Sequence, residues 1–422
     1  MRRRGRKARS IAALTAILGM LLAGCASEAA PAPPPPGRLV GAPAPLDPDQ
    51  VYLQQRIAAM SPAEKLAALV IVHVPGTDAA TIRAVIDAHG FGGVILMGDN
   101  IGGPASSVAA LTAGLSSEPG LPVLTAIDQE GGIVSRLRDD RALAARELWG
   151  LDALAAEQAF AARSALVAQA GVLINFGIVA DVTPDRSSFI GPRTLGETPA
   201  AAADRVAAAV RGELGTVLST LKHFPGHGAS PDDSHVSIPR SGIDLAAWRA
   251  THAVPFQAGI DAGAPLVMTG HLQFDAISPM PASLSPTWIE ILRTELRFDG
   301  VIITDDLLML QRSGVAAYAD PAANAVRALA AGNDLVLFVL PGEPSTVGID
   351  LGGLVDSLVA ALTDGRLDAA SIDASLRRVL ALRRDASDLE GPYVECGLKC
   401  WGASPRSLAV HDIDTGDRRP VF

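Results

Sequence analysis

A chain of 422 residues that is 49% hydrophobic and 19% charged holds enough apolar material for one large domain or two modest ones. Its formal charge of −10 becomes −16 once the six positive charges of residues 1–24 are set aside. That balance excludes the basic surface needed to grip nucleic acid phosphates.

Arg2, Arg3, Arg4, Arg6, Lys7 and Arg9 precede an apolar run from Ile11 to Ala23, too short for a membrane span and suited to a signal peptide. The run closes on Leu22-Ala23-Gly24-Cys25, which resembles the lipobox of bacterial lipoproteins. The resemblance implies cleavage after residue 24, lipidation of Cys25, and an exported protein held at the outer face of the cell membrane. An ordinary secretory signal with an incidental cysteine is the alternative. Residues 25–48 are rich in alanine and proline, with Pro33 to Pro36 in succession, and read as a stiff tether.

A folded domain is expected over residues 49–386. Its candidate strands are the apolar runs 68–72, 93–97, 122–127, 172–176, 216–221, 265–269, 300–304 and 334–338, separated by longer amphipathic, alanine-rich stretches. Near-continuous apolar strands are covered on both faces, which implies parallel pairing through helical crossovers. Eight of them predict an α/β fold, a single (β/α)8 TIM-type barrel with its active site at the C-terminal strand ends.

The polar residues fit that frame. Asp128-Gln129-Glu130-Gly131-Gly132 follows the third run, Asp181 and Arg193 the fourth, Lys222 to His235 the fifth, His271 the sixth and Asp305-Asp306 the seventh. A doubly wound open sheet would gather such groups at one switch point instead. Residues 387–422 form a C-terminal extension in which Cys396 and Cys400 are expected to pair as a small disulfide under oxidising conditions.

The densest chemistry lies between Lys222 and His235, where three of the eight histidines fall among glycines and proline that forbid a regular helix. Asp233 and His235 stand two residues apart, so in an extended segment they would share a face and form a dyad. Asp305 and Asp306 end an apolar strand. Capping of the next helix explains one of them and not both. His227, between two glycines, reads as a ligand of the loop's own backbone. Metal binding by His223 and His227 would require a helix that Pro225, Gly226 and Gly228 oppose. There is no P-loop, and no Gly-x-Ser-x-Gly elbow for a serine hydrolase. A carboxylate nucleophile with an acid/base about 5 Å away would instead serve retaining glycoside hydrolysis.

Lys222-His223-Phe224-Pro225-Gly226-His227-Gly228 with Asp233-Ser234-His235, Asp128-Gln129-Glu130-Gly131-Gly132, and Thr304-Asp305-Asp306-Leu307 with Met309 together resemble the family 3 β-N-acetylglucosaminidases. The likeness runs from about residue 51 to 384. It implies retaining cleavage of terminal β-linked N-acetylglucosamine, as in peptidoglycan fragments. Asp305 would be the nucleophile and His235 the acid/base, oriented by Asp233. Asp128, Arg193, Lys222 and His223 would hold the sugar, and Asp306 would be mainly structural. No cofactor or metal is expected. Ile133, Ala229-Ser230 and Thr304 depart from the family pattern without removing a catalytic group. A phosphorylase using the same residues and a non-catalytic sugar-binding lipoprotein are the competing functions.

Overall fold

Eight apolar runs become eight parallel strands in a closed barrel: β1 (Val70–Val72), β2 (Gly93–Leu96), β3 (Leu124–Ile127), β4 (Ile174–Val179), β5 (Leu218–Phe224), β6 (Leu266–Thr269), β7 (Val301–Asp306) and β8 (Leu335–Phe338). Each strand pairs with its neighbours in chain order, and β8 closes on β1 through Val70 opposite Val336. The computed structural model describes residues 48–116, 118 and 120–390. Cys25, the signal and tether up to residue 47, and the expected Cys396–Cys400 disulfide lie outside the described residues.

A helix follows every strand, which is the (β/α)8 plan. The crossovers after β3 and β4, Ala153–Gln169 and Pro199–Glu213, are the longest of those between successive strands. Short polar side chains set the starts of many of the helices: Asp78, Asp152, Thr198, Ser285, Asp320 and Asp350 each accept a backbone N–H of the first turn. Glycine ends two crossovers, with Gly90 at φ 75° and Gly332 at φ 105°, where a side chain would be strained. The last helix, Ala369–Glu390, continues four residues into the segment expected as extension.

The strands are buried along their length, and residues such as Ile71, Ile95, Ala126, Phe176, Val267 and Val336 are essentially inaccessible. An aromatic cluster packs outside β5. Phe224 meets Trp248, Phe256 and Trp288 edge-on at centroid distances of 6.0, 5.3 and 5.8 Å. Trp248 Nε1 donates to the carbonyl of Pro225 at 2.8 Å, so this cluster is also the footing of the loop after β5.

Two strands depart from regular register where the polar motifs lie. Leu221 pairs with Val267 but Phe224 with Thr269, so β5 advances three residues while β6 advances two. Likewise β7 gains a residue on β8 between Ile303 and Asp306. Such irregularities re-aim side chains beside active sites, and here they fall on Lys222-His223 and Thr304-Asp305.

Candidate active site

The polar residues gather at the C-terminal ends of β3, β4, β5, β6 and β7. Lys222 and His223 lie within β5 itself, not after it, because the strand continues to Phe224. Their burial is made possible by carboxylates just beyond the ends of β3 and β4. Lys222 Nζ donates to Asp128 Oδ1 at 2.8 Å and stands 2.7 Å from Glu130 Oε1. Arg193, on the short turn Gly191–Arg193, grips Glu130 with two parallel bonds of 2.9 and 2.7 Å. Arg136 adds a longer contact to Asp128 at 3.3 Å.

Burial alone would raise both carboxyls. For Asp128 the charges of Lys222 and Arg136 outweigh it and bring the pKa to about 2, and for Glu130 the charges of Arg193 and Lys222 hold it below its usual range. Lys222 is pushed up in turn, as Asp128 and Glu130 overcome its desolvation.

His223 is oriented from below by Asp181, at the end of β4. The Asp181 carboxylate accepts from His223 Nδ1 at 2.7 Å and from the backbone N–H of His223 and of His227. Arg193 lies 3.2 Å from His223 Nε2, so that nitrogen is the acceptor and the ring proton sits on Nδ1. Asp181 thereby ties β4 to both ends of the turn that opens the catalytic loop. The Lys222–His223 and Phe224–Pro225 peptides are cis.

Asp305 and Asp306 face different surroundings. Asp306 is built into the backbone: its Oδ1 accepts from the N–H groups of Leu308 and Val339 at 3.1 and 2.9 Å, and Oδ2 meets Arg312 at 3.1 Å. Desolvation nonetheless raises its pKa to about 6. Asp305 is partly exposed and accepts from the adjacent Asp306 N–H at 2.8 Å. Burial pushes its carboxyl up, but His223, His271, that N–H and Lys222 hold it below the usual range. His271 bridges Ser283 Oγ and the Asp306 carbonyl at 2.7 and 2.9 Å, and burial lowers its pKa against the opposing charge of Asp305.

His235 Nδ1 lies 2.8 Å from Asp233 Oδ1, and the backbone N–H of His235 donates to the same oxygen at 2.8 Å. The expected pair forms, but in a turn and not an extended segment: Asp233 closes an Asx-turn onto the residue two ahead. The pair stands proud of the barrel, with side chains 54% and 40% exposed. His227 does not bond the loop backbone through its ring; its Nε2 meets Ser234 Oγ at 3.0 Å, and burial lowers its pKa to about 4.

Two groups escaped the sequence reading as site residues. Glu130 was visible as the second acid of Asp128-Gln129-Glu130, two residues on and so on the same side of an extended chain. Asp181 was visible only as a charge at the end of an apolar strand. Behind β3, Asn175 bonds both main-chain groups of Gln129 at 3.1 Å and donates to Glu213 at 2.6 Å, fixing the motif from within.

An ionised carboxylate at one strand end, an Asp-His pair on the loop after β5, and a buried cluster of paired charges at the same end of the barrel make a site for carboxylate-based transfer to or from a polyhydroxylated ligand. The sequence matches the Glycosyl hydrolase family 3 N terminal domain over residues 62–382. The chain belongs to glycosyl hydrolase family 3. Among its relatives in that family is a beta-hexosaminidase of Xanthomonas oryzae pv. oryzae, 37% identical over 263 residues, which are 59% of this chain and 78% of the relative. Beta-hexosaminidase LpqI of Mycobacterium tuberculosis is 34% identical over 365 residues, 81% of this chain and 85% of LpqI. A solved family 3 β-N-acetylglucosaminidase from Paenibacillus superposes with a TM-score of 0.71 at 32% identity, covering 82% of this chain and 66% of that one. This family 3 member is thus a glycoside hydrolase.

Proposed function

We propose that the protein is a retaining exo-β-N-acetylglucosaminidase that removes terminal β-linked N-acetylglucosamine from peptidoglycan fragments by double displacement. The observation that carries the reading is Asp305: a carboxylate kept ionised against its own burial, beside His223 and His271, at the end of β7, with the Asp233–His235 pair carried on the loop after β5. The beta-hexosaminidase and β-N-acetylglucosaminidase relatives support the substrate class.

In the first step an Asp305 oxygen bonds to the anomeric carbon as the glycosidic C–O bond breaks, and protonated His235 gives its Nε2 proton to the departing oxygen. The Nδ1–H of His235 stays bonded to Asp233. Burial pushes the Asp233 carboxyl up, but the His235 N–H, ring bond and charge hold it below its usual range, so its negative charge is available to the imidazolium. In the second step neutral His235 takes a proton from water, whose oxygen bonds to the anomeric carbon and releases Asp305. Lys222, Arg193, His223 and Asp128, already fixed in place by mutual pairing, supply donors and acceptors for the sugar without reorganising.

The test is turnover of an aryl β-N-acetylglucosaminide and of a muropeptide by the wild type, with trapping of a 2-fluoro sugar and location of the adduct. An ester on Asp305 supports the assignment. Binding without turnover would mark a sugar-binding protein, and a sugar 1-phosphate formed in phosphate buffer would mark a phosphorylase. Export and anchoring through Cys25 rest on Leu22-Ala23-Gly24-Cys25. An alkyne-palmitate label on the expressed protein that is lost in Cys25→Ser is the outcome that supports it.

A further inference from the structure

The turn between β4 and its helix presents an aromatic ring that no step above uses. Phe189 sits half-buried one turn before Arg193. Its ring centroid is 5.4 Å from that of His235, at 71°, and 5.3 Å from that of His227. The Arg193 guanidinium carbon lies 5.9 Å from the same ring. Phe189 is therefore in contact with the proposed acid/base, with the histidine that holds the acid/base loop, and with a proposed sugar clamp.

The turn itself is firmly built. Gly191 N–H donates to the Ser188 carbonyl at 3.1 Å and to its hydroxyl at 3.2 Å, and Arg193 N–H donates to the Ile190 carbonyl at 2.9 Å. A Cβ on Gly191 would lie 2.4 Å from the Asp185 carbonyl oxygen, so only glycine lets the chain fold back this closely. The ring is thus carried on a fixed support. His235, by contrast, is exposed, and its two bonds to Asp233 lie within its own loop and travel with it. The described contacts of this segment outside itself include the His227–Ser234 bond, Ile238 packed against the core and, at His235, the ring of Phe189.

We propose that Phe189 is a positioning residue for His235: the ring gives the acid/base imidazole a fixed surface from which to deliver its proton. This rests on His235 being the acid/base. An edge-to-face aromatic contact is a modest interaction, so its loss lowers the fraction of time the imidazole is correctly placed and does not remove the acid. The consequence is confined to bond cleavage that needs a proton. A leaving group that departs as a stable anion needs none.

The experiment compares kcat/KM for methoxyphenyl and dinitrophenyl β-N-acetylglucosaminides, which report only the first step. Phe189→Ala is expected to lower kcat/KM for the methoxyphenyl substrate about threefold to tenfold and to leave the dinitrophenyl substrate within about twofold. Phe189→Tyr should restore the methoxyphenyl rate, and Phe189→Leu, which keeps the bulk without the ring face, should behave as Phe189→Ala does and serves in its place where the alanine variant folds poorly. An equal fall on both substrates, or no fall on either, overturns the proposal. His235→Ala is run alongside and must show the same split, larger. Absence of the split there refutes the acid/base assignment itself, which separates the two failures.

Discussion

Lys222 Nζ stands 2.7 Å from Glu130 Oε1, and the same oxygen receives Arg193. One carboxylate therefore neutralises two buried cations, one contributed by β5 and the other by the turn after β4. Replacing it with Gln leaves Lys222 and Arg193 facing Asp128 alone. Breaking a buried ion pair from one side costs about 3 kcal/mol or more. Glu130→Gln should unfold at markedly lower temperature and lose at least tenfold in kcat/KM, as read by calorimetry and steady-state kinetics. An unchanged melting temperature would contradict this account of the network.

Adjacent aspartates should behave oppositely. Asp305→Ala removes the proposed nucleophile and should reduce kcat by several orders of magnitude while the melting temperature holds or rises, since an enclosed charge is lost. Asp306→Ala leaves the N–H groups of Leu308 and Val339 without their acceptor, at about 1–3 kcal/mol each. It should be the less stable variant and the more active one once folded. The pair of measurements separates chemistry from support.

Glu213 predicts a pH dependence of stability. Burial raises its pKa from 4.5 to about 8, so the folded protein keeps a proton that the unfolded chain releases above its own value. The contribution is complete below the unfolded pKa and is lost as pH rises through the folded one. Relative to Glu213→Gln, which keeps an acceptor for Asn175, the wild type should therefore lose thermal stability between about pH 5 and pH 8. Parallel slopes for the two proteins would show that Glu213 does not titrate in this range.

Gly228 permits the catalytic loop to lie against β4's extension. A Cβ there would fall 2.0 Å from the Val182 carbonyl oxygen, so Gly228→Ala must move the loop. Displacement of the Asp233–His235 pair by about an ångström is expected to cost about a hundredfold in kcat/KM. The global melting temperature should change little, because the barrel core is not touched.

The barrel was legible because its strands are covered on both faces and therefore read as unbroken apolar runs. All eight were placed, each within a few residues, and the polar residues at their ends marked the functional face. The errors of placement are themselves informative. The runs 216–221 and 300–304 stop too early, since Lys222, His223, Asp305 and Asp306 look like loop residues by polarity alone. They remain in the strands because groups just beyond the ends of other strands satisfy them: Asp128 and Glu130 for Lys222, Asp181 for His223, and the Val339 amide for Asp306. Those partners lie far away in sequence, so no local pattern reveals the pairing. Phe189 was invisible for a related reason. A half-exposed aromatic in a turn carries no signature until the ring it touches is known.

The tryptophans under the loop add a practical consequence. The chain has four, and two of them, Trp248 and Trp288, meet edge-on at 4.9 Å beside Phe224, with Trp248 bonded directly to Pro225. The molecule thus has a pair of native fluorophores at the root of the segment that bears His235. Any shift of that segment on sugar binding is transmitted through the Pro225 carbonyl to an indole, so emission of the unlabelled protein provides an optical readout of loop motion during turnover.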